Sequence, residues 1–201
     1  MEEALSKILV IGAAGLLGSH VVKALGEGNC IRASRSSPER VDISDPNSLK
    51  ALFDRLGELD GIVCTGGAAR FKPWDQSTDE DWAFCLANKL MGQVNVARFG
   101  ASKVRSGGAI TLTTGVLAQH PMPGGAMITT VNAAVEAFVR AAAVEPIPVR
   151  INAVSPGWVA ETLQAMGRDP APGIPASEVA QVFVRQLREG ASGSIALAAR
   201  G

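Results

Sequence analysis

Three glycines at a spacing of three residues follow directly on the first apolar run of the chain. Residues 7–12 read KILVIG and lead into GAAGLLG. An apolar strand that turns through glycines into an amphipathic helix is typical of a dinucleotide-binding βα unit, because glycines allow a tight turn, close approach to a pyrophosphate and close helix packing. The alternative is a purely structural turn. The residues expected to face the phosphates are Gly12, Ala14, Gly15, Leu16, Leu17 and Gly18.

Short apolar runs alternate with helical patterns along the rest of the chain. The predicted strands are 7–12, 30–34, 60–65, 109–114, 149–155 and 194–199. The predicted helices are 17–25, 46–56, 79–105, 126–144 and 177–187, the last with Ser177 as its N-cap. Only SSPERV separates Arg35 from Asp42, so no helix fits between them. This alternation predicts an α/β protein with a Rossmann-like, doubly wound parallel sheet of about seven strands in one domain, 1–201.

The composition argues against several other classes of protein. The 201 residues carry a formal net charge of zero, which gives no electrostatic footprint for nucleic acid or an anionic membrane. No apolar run approaches the roughly 18 residues that span a bilayer. The first residues, MEEALSK, lack the basic region of a signal peptide. We therefore expect a cytoplasmic protein.

The cysteines and histidines do not form a metal-binding pattern. Cys30, Cys64 and Cys85 fall in separate apolar segments, where we expect them to be reduced and buried. The chain has two histidines and no Cys-x-x-Cys pair. The sequence therefore predicts no metal site.

The end of the second predicted strand indicates which nucleotide is bound. An NAD site usually ends this strand with an acidic residue that holds the ribose 2′-hydroxyl. Here the strand ends in IRASRSS, with Ser34 in the acidic position, followed by Arg35 and Ser36. A guanidinium and hydroxyls bind a 2′-phosphate that a carboxylate would repel, so we expect NADP(H) over NAD(H). The alternative is a solvated Arg35; Arg32 is a weaker candidate because strand alternation points it to the other face.

Five further segments carry a family likeness over nearly the whole chain. They are VDISD (41–45), CTGGAA (64–69), ANKLMG (87–92), LTTG (112–115) and RINAVSPGWVAET (150–162). With the glycine loop, they resemble in order the motifs of the short-chain dehydrogenase/reductase family: an adenine contact, a turn against the cofactor, a helical Asn-x-x-x-Gly, the strand end with the catalytic Ser, and the segment that holds the nicotinamide carboxamide. The further cofactor contacts that the resemblance implies are Asp42, Ile43, Thr65, Gly66, Gly67, Asn132, Pro156, Gly157, Val159 and Thr162.

The proton-transfer pair of that family is missing here. The resemblance implies a Tyr that protonates the carbonyl oxygen, and a Lys four residues later that lowers the Tyr pKa and binds ribose hydroxyls. MITTVNAAVEAF (127–138) aligns with that helix and places Ile128 at the Tyr position and Asn132 at the Lys position. The chain contains no Tyr, so no shift of register restores the pair. We expect Ile128 to be inert, whereas Asn132 can still hydrogen-bond a ribose hydroxyl.

Several polar residues remain as candidates for an atypical proton route. Thr114 keeps the hydroxyl of the family's Ser, and Asn88 stands as the motif asparagine. Water ordered by Thr114 and Asn132 is one route, and His120 in the following loop is a further candidate acid. Lys89 is a weaker candidate, because neighbours on a helix point about 100° apart.

The surroundings of the site give two further expectations. The segment 163–176 contains GRDPAPGIPA, whose prolines and glycines predict a short irregular lid over the substrate pocket. The small residues of 126–144 favour close helix packing, and the resemblance implies a homodimer or homotetramer through helices 79–105 and 126–144. The alternative is packing between these helices within one chain. Glu136 is expected to face solvent or a partner chain.

Two functions stay open at the level of sequence. The favoured one is an NADP(H)-dependent oxidoreductase that acts on a small carbonyl or alcohol substrate by an atypical proton route. The alternative is a catalytically degenerate NADP(H)-binding protein, such as a redox sensor or an oligomer subunit. Asn88, Thr114 and the PGWVAET segment favour the first, and the missing Tyr and Lys favour the second.

Overall fold

One parallel sheet organises the chain. A computed structural model, which describes residues 6–200, contains a seven-stranded sheet in the order β3-β2-β1-β4-β5-β6-β7 with every pairing parallel. The strands are β1 (Ile8–Ile11), β2 (Cys30–Ser34), β3 (Glu39–Arg40), β4 (Leu59–Cys64), β5 (Val104–Thr113), β6 (Arg150–Pro156) and β7 (Ile195–Ala198). The direction of winding reverses between β1 and β4, which opens a crevice at their carboxyl ends. The predicted Rossmann-like sheet is confirmed.

All six predicted strands are present, and the seventh strand, β3, is one that the sequence pattern does not indicate. β3 has only two residues, which pair with the end of β2 as Ala33 with Glu39 and Ser34 with Arg40. Both β3 residues are charged, so no apolar run marks them. The short β2–β3 connection contains no helix, as its length predicts.

Helices cover both faces of the sheet. Within the described residues they are α1 (Leu16–Leu25), α2 (Pro46–Arg55), α3 (Asp79–Cys85), α4 (Gly92–Gly100), α5 (Ala126–Ala142), α6 (Ala160–Ala165) and α7 (Ala176–Glu189). Strand alternation divides the core: Leu9 and Ile11 of β1 join the cluster under α2, α4 and α5, whereas Ile8 and Val10 join the cluster under α1 and α7. Burial on both faces explains why the strand sequences are continuously apolar.

A single continuous helix at 79–105 is wrong. α3 ends at Cys85, a π-helical turn covers Leu86–Met91, and α4 resumes at Gly92 and ends at Gly100. The last two residues of the predicted helix belong to β5. Helical periodicity continues through the turn, so the sequence carries no signal for the break. Such wide turns are frequent at functional sites.

The boundaries around the predicted lid also differ from the expectation. The first residues of 163–176 lie in α6, which the sequence did not indicate, and only the following turns are irregular. Ile174 forms a parallel bridge with Val159 and is buried, so the segment is anchored. Ser177 is not an N-cap: α7 begins at Ala176, whose N–H donates to the Glu161 carboxylate at 3.0 Å.

Two observations bear on the general class of the protein. Among residues 6–200, no helix combines the length and the apolar character that crossing a bilayer requires. The cysteines are unpaired; Cys64 and Cys85 are buried and Cys30 is partly buried. The beginning of MEEALSK, residues 1–5, lies outside the described residues.

Candidate cofactor and reaction site

A cleft of about 380 Å³ lies at the carboxyl ends of β1, β2 and β4. The predicted cofactor-site residues that line it are Gly12, Ala14, Gly15, Ser34, Arg35, Ser36, Asp42, Ile43, Thr65, Gly66 and Gly67, together with Asn88. Ile11, Val41 and Ala68 also line it and were not anticipated. The topology therefore gathers segments that are far apart in sequence at the place where a doubly wound sheet binds ligands.

The glycine loop has the geometry that its sequence requires. Gly12 has a φ of 86°, in the left-handed region that favours glycine. A Cβ on Gly18 would lie 2.1 Å from the Gly12 carbonyl oxygen, so the helix can approach the turn only without a side chain there. Leu16 and Leu17 do not line the cleft; Leu16 is exposed and Leu17 packs on the α1–α7 side. The N-terminus of α1 has no side-chain cap, which leaves N–H groups for an anion.

The end of β2 forms a compact polar corner of the cleft. The Ser34 and Ser37 hydroxyls are 2.7 Å apart, and the Ser36 N–H donates to the Ser34 oxygen at 3.1 Å. Arg35 is exposed and lines the cleft beside them. Arg32 lies instead near Glu27, with 3.9 Å between guanidinium and carboxylate. The corner thus presents one guanidinium and several hydroxyls.

Asp42 lines the same cleft as this corner. Its carboxylate accepts from the Ser44 hydroxyl at 2.6 Å and from the Ser44 N–H at 2.9 Å. These hydrogen bonds, with a smaller contribution from the Arg35 charge, hold the pKa of Asp42 below its usual range. Its neighbour Ile43 packs towards Gly66 and Gly92, so the chain turns from the cleft into the core at this point.

A second polar cluster lies where β5 ends against α5. Thr114 is buried; its hydroxyl lies 3.1 Å from the Asn132 carbonyl oxygen and 3.1 Å from a carboxylate oxygen of Glu136. The expectation that Glu136 faces solvent or a partner is wrong: it is 3% exposed, also accepts from the Gln119 amide, and lies 3.7 Å from the Arg140 guanidinium. The Thr114 proton is therefore directed towards α5.

Asn132 and Ile128 occupy the helix face that the alignment assigned to them. Asn132 is buried, and its side-chain oxygen is one of the few buried polar atoms in the described residues without a hydrogen-bond partner. Its amide nitrogen abuts Gly115, where a Cβ would lie only 2.9 Å away. Ile128 is partly buried against Cys85, Met127 and Val131. An uncharged amide thus faces the end of β5, and a hydrocarbon side chain stands one turn earlier.

Lys89 lies closer to the candidate site than its position in the sequence predicts. In the π-helical turn, Asn88 lines the cleft and donates to the Phe84 carbonyl at 3.3 Å, while Lys89 is buried and donates from Nζ to the Thr114 carbonyl at 3.4 Å. Contrary to the prediction from helical spacing, Lys89 therefore does not point away from the site. Burial lowers the pKa of Lys89 to about 8. The one signal in the sequence for this role was the charge of Lys89 within a largely apolar helical segment.

Gln93 is a second residue that the sequence did not identify. It is fully buried on α4, where its amide donates to the Gly66 carbonyl at 2.6 Å and its oxygen accepts from the Thr113 N–H at 3.2 Å. It therefore ties the cofactor turn after β4 to the end of β5. The residue types on either side are apolar or glycine, and periodicity alone cannot distinguish such a buried amide from a surface one.

The remaining predicted residues lie away from the lining of this cleft. His120 is exposed after the short 3-10 turn at Val116–Ala118. Pro156 and Gly157 end β6, where the Gly157 N–H donates to the Ala198 carbonyl at 2.8 Å. Val159 is buried and Thr162 lies in α6. No group of three or more His, Cys, Asp or Glu in the described part of the chain could hold a metal ion.

Comparison with known proteins places this site in context. A family model described as enoyl-(acyl carrier protein) reductase matches residues 22–197. A hydroxynaphthalene reductase-like protein Arp2 of Metarhizium guizhouense is 32% identical over 133 residues, which cover 63% of this chain and 50% of that protein. The chain thus spans about half the length of this relative.

Two solved structures are similar over nearly their whole length. The protein lin1944 of Listeria innocua has a TM-score of 0.89 and 35% identity, covering 95% of this chain and 98% of that one. A small-chain dehydrogenase in complex with NADPH has a TM-score of 0.85 and 26% identity, covering 96% of both chains. Together with the motif order and the sheet topology, these matches show that the chain belongs to the short-chain dehydrogenase/reductase family.

Proposed function

We propose that the protein is an NADP(H)-dependent oxidoreductase that acts on a small carbonyl or alcohol substrate by an atypical proton route. The observation that carries the proposal is the cleft that gathers the glycine loop, the Arg35 corner and Asp42 at one end of the sheet. The residues fit a dinucleotide: a side chain at Gly12 would lie 2.7 Å from the Gly66 N–H nitrogen, so the floor of the cleft is kept free of side chains.

The choice of NADP(H) rests on the corner after β2. A 2′-phosphate carries two negative charges at most, and a guanidinium beside hydroxyl and N–H donors is suited to bind it. Ser34, Arg35 and Ser36 supply these groups, and no carboxylate takes their place at the strand end. The small-chain dehydrogenase with bound NADPH, similar over 96% of both chains, supports the same choice.

The reaction would take place beyond Gly67, towards the ends of β5 and β6. The chemistry that the cofactor would supply there, when bound, is hydride transfer. Pro156, Gly157, Val159 and Thr162 would position the nicotinamide ring, and Asn88, Thr114 and Asn132 would order the substrate oxygen or a water beside it. Because the Thr114 hydroxyl donates within the β5–α5 cluster, it serves a substrate oxygen only by changing its partner.

A second function is favoured by one observation. Ile128 packs its hydrocarbon side chain where the family's Tyr would stand, and losing a positioned acid typically slows catalysis about 10²- to 10⁴-fold. The alternative is therefore a cofactor-binding protein without turnover, such as a redox sensor or an oligomer subunit.

Cofactor titration tests the first part of the proposal. We expect NADPH to bind more tightly than NADH, and Arg35→Glu to weaken NADPH binding at least 10-fold while NADH binding changes little, because only the 2′-phosphate meets the new carboxylate. Nucleotide fluorescence gives both affinities. Arg32→Glu is the matched control, because Arg32 lies near Glu27 and outside the cleft. Equal affinities for the two nucleotides would contradict the choice of NADP(H).

Turnover distinguishes the two functions. NADPH oxidation is followed with panels of aldehydes, ketones and quinones. The oxidoreductase proposal expects consumption of NADPH with at least one class, reduced in Asn132→Ala. Tight NADPH binding without turnover across all three classes favours the binding protein, and turnover unchanged in both Thr114→Val and Asn132→Ala would show that the reaction occurs elsewhere.

A further inference from the structure

Lys89 has more hydrogen-bond donors than the surrounding protein satisfies. The residue is 6% exposed, and its ammonium carries three N–H groups. Its one hydrogen bond, among those formed by residues 6–200, is the long contact of 3.4 Å to the Thr114 carbonyl. A buried charge with unused donors is costly unless another acceptor completes its surroundings.

The charged neighbours do not supply that acceptor. On β4, Cys64 is the titratable group whose charge would affect Lys89. Burial raises the pKa of the Cys64 thiol to about 12, so the thiol is neutral. On α5, Glu136 is engaged with Thr114, Gln119 and Arg140. On α3, Asp81 is already paired with Arg70 and Lys72. No ion pair within the described residues includes Lys89.

The side chain of Lys89 passes close to the lining of the cleft. A Cβ on Gly67 would lie 2.9 Å from Cδ of Lys89, so the lysine stem runs against this cleft-lining glycine. Nζ then lies at the end of β5, the next strand beyond that lining. A dinucleotide that extended across the switch point from the β2 corner would have its second ribose on this side of the crevice.

The same place holds an unsatisfied acceptor on α5. The Asn132 side-chain oxygen is buried without a partner, and its amide abuts Gly115 beside Thr114. A ribose diol contains hydroxyls that both accept from an ammonium and donate to an amide oxygen. One ligand of this chemistry would therefore satisfy both the unused N–H donors of Lys89 and the unpaired side-chain oxygen of Asn132.

We propose that Lys89 and Asn132 together bind the ribose hydroxyls at the nicotinamide end of the cofactor, with Lys89 supplying from the π-helical turn the positive charge that α5 lacks at position 132. This inference rests on the proposed function. It makes Lys89 a cofactor-binding residue whose protonated form is the competent one.

The sign of the pH dependence follows from the lowered pKa. Lys89 is an ammonium below about pH 8 and a neutral amine above it. The proposal therefore expects NADPH affinity to be highest below this pH and to fall as the pH rises through it. By linkage, bound cofactor raises the pKa of Lys89, and binding near pH 8 takes up protons from the buffer.

The test measures NADPH affinity from pH 6.5 to 9.5 in the full chain and two variants. Lys89→Met removes the charge and keeps an aliphatic stem, so we expect roughly 10- to 100-fold weaker binding that no longer depends on pH in this range. Lys89→Arg keeps a charge that does not titrate there, so we expect stronger binding than in Lys89→Met with the same flat profile. The matched control is Lys103→Met, since Lys103 also donates to a backbone carbonyl, that of Leu56 at 3.3 Å, but precedes β5 at its amino end.

A second measurement does not depend on how well the variants fold. With ¹³C-labelled lysine, the Lys89 ε-carbon signal of the unaltered chain should titrate near pH 8 without NADPH and at higher pH with it. An unchanged Lys89 titration on NADPH binding, or a Lys89→Met protein with unaltered affinity and pH profile, would overturn the inference while the proposed function stands. Failure of NADPH to bind the unaltered chain at every pH would overturn both.

Discussion

At the scale of single residues, the buried carboxylate of Glu136 changes the interpretation of α5. The helix looks inert in sequence because Ile128 and Asn132 replace a reactive pair. In the structure, Glu136 accepts hydrogen bonds from Thr114 and Gln119 and faces Arg140, so the polar groups of this helix form a connected cluster. Connected buried groups fix the end of β5 against α5, and that end carries the candidate reaction site.

The cluster predicts the effect of truncating Glu136. Glu136→Ala should lower the free energy of unfolding by about 1–3 kcal/mol, because the buried Thr114 hydroxyl and the Gln119 amide both lose an acceptor. Glu136→Gln should lose less, since the amide oxygen can still accept. Urea denaturation followed by fluorescence of the tryptophans measures both. The control is Glu145→Ala, at an exposed position just after α5, and a loss no greater than that of the control would refute the buried cluster.

At the scale of secondary-structure elements, the β1–α1 connection and the π-helical turn differ in how far the sequence reveals them. The glycine loop was located from sequence because its requirement is local: the turn at Gly12 and the contact of Gly18 lie within seven residues. The break between α3 and α4 has no such local mark, because Leu86–Met91 contains neither glycine nor proline. It was the break that brought Asn88 to the cleft and Lys89 against its lining.

The loop geometry predicts a sharp difference between two glycines. Gly18→Ala places a methyl group 2.1 Å from the Gly12 carbonyl oxygen, so α1 must shift; we expect a loss of about 1–3 kcal/mol in the free energy of unfolding and weaker NADPH binding. Gly28→Ala is the control, because nothing lies within 4 Å of its added Cβ. Thermal denaturation with and without NADPH compares them. Equal behaviour of the two variants would mean that the turn can relax without cost.

At the scale of the whole molecule, the packing of residues 6–200 leaves part of the outer side of α5 exposed. Val135 and Val139 are buried in the cluster under the sheet, whereas Ala137 and Ala141 are exposed. Alanines on an exposed helix face permit another helix to approach closely, which agrees with the homodimer or homotetramer that the family resemblance implies. The oligomer stays a prediction.

Solution mass tests that prediction. We expect light scattering to give a mass of two or four chains, and Ala137→Glu to shift it towards a single chain by placing a charge in the proposed helix contact. Ala51→Glu introduces the same change at an exposed position of α2 and should leave the mass unaltered. A single-chain mass for the unaltered protein at micromolar concentration would contradict the prediction.

Residue type and local spacing are enough to predict the sheet, the glycine loop and the absence of the usual proton-transfer pair. Six strands appear as apolar runs, the phosphate turn as glycines, and the missing Tyr as a plain fact of composition. Only the folded structure reveals the surroundings of Lys89, Gln93 and Glu136. Lys89 meets a carbonyl 25 residues away and Glu136 a hydroxyl 22 residues away, and such contacts depend on how separate elements pack at the end of β5. The physical reason is that burial and hydrogen bonding are properties of neighbours in space, which no local pattern records.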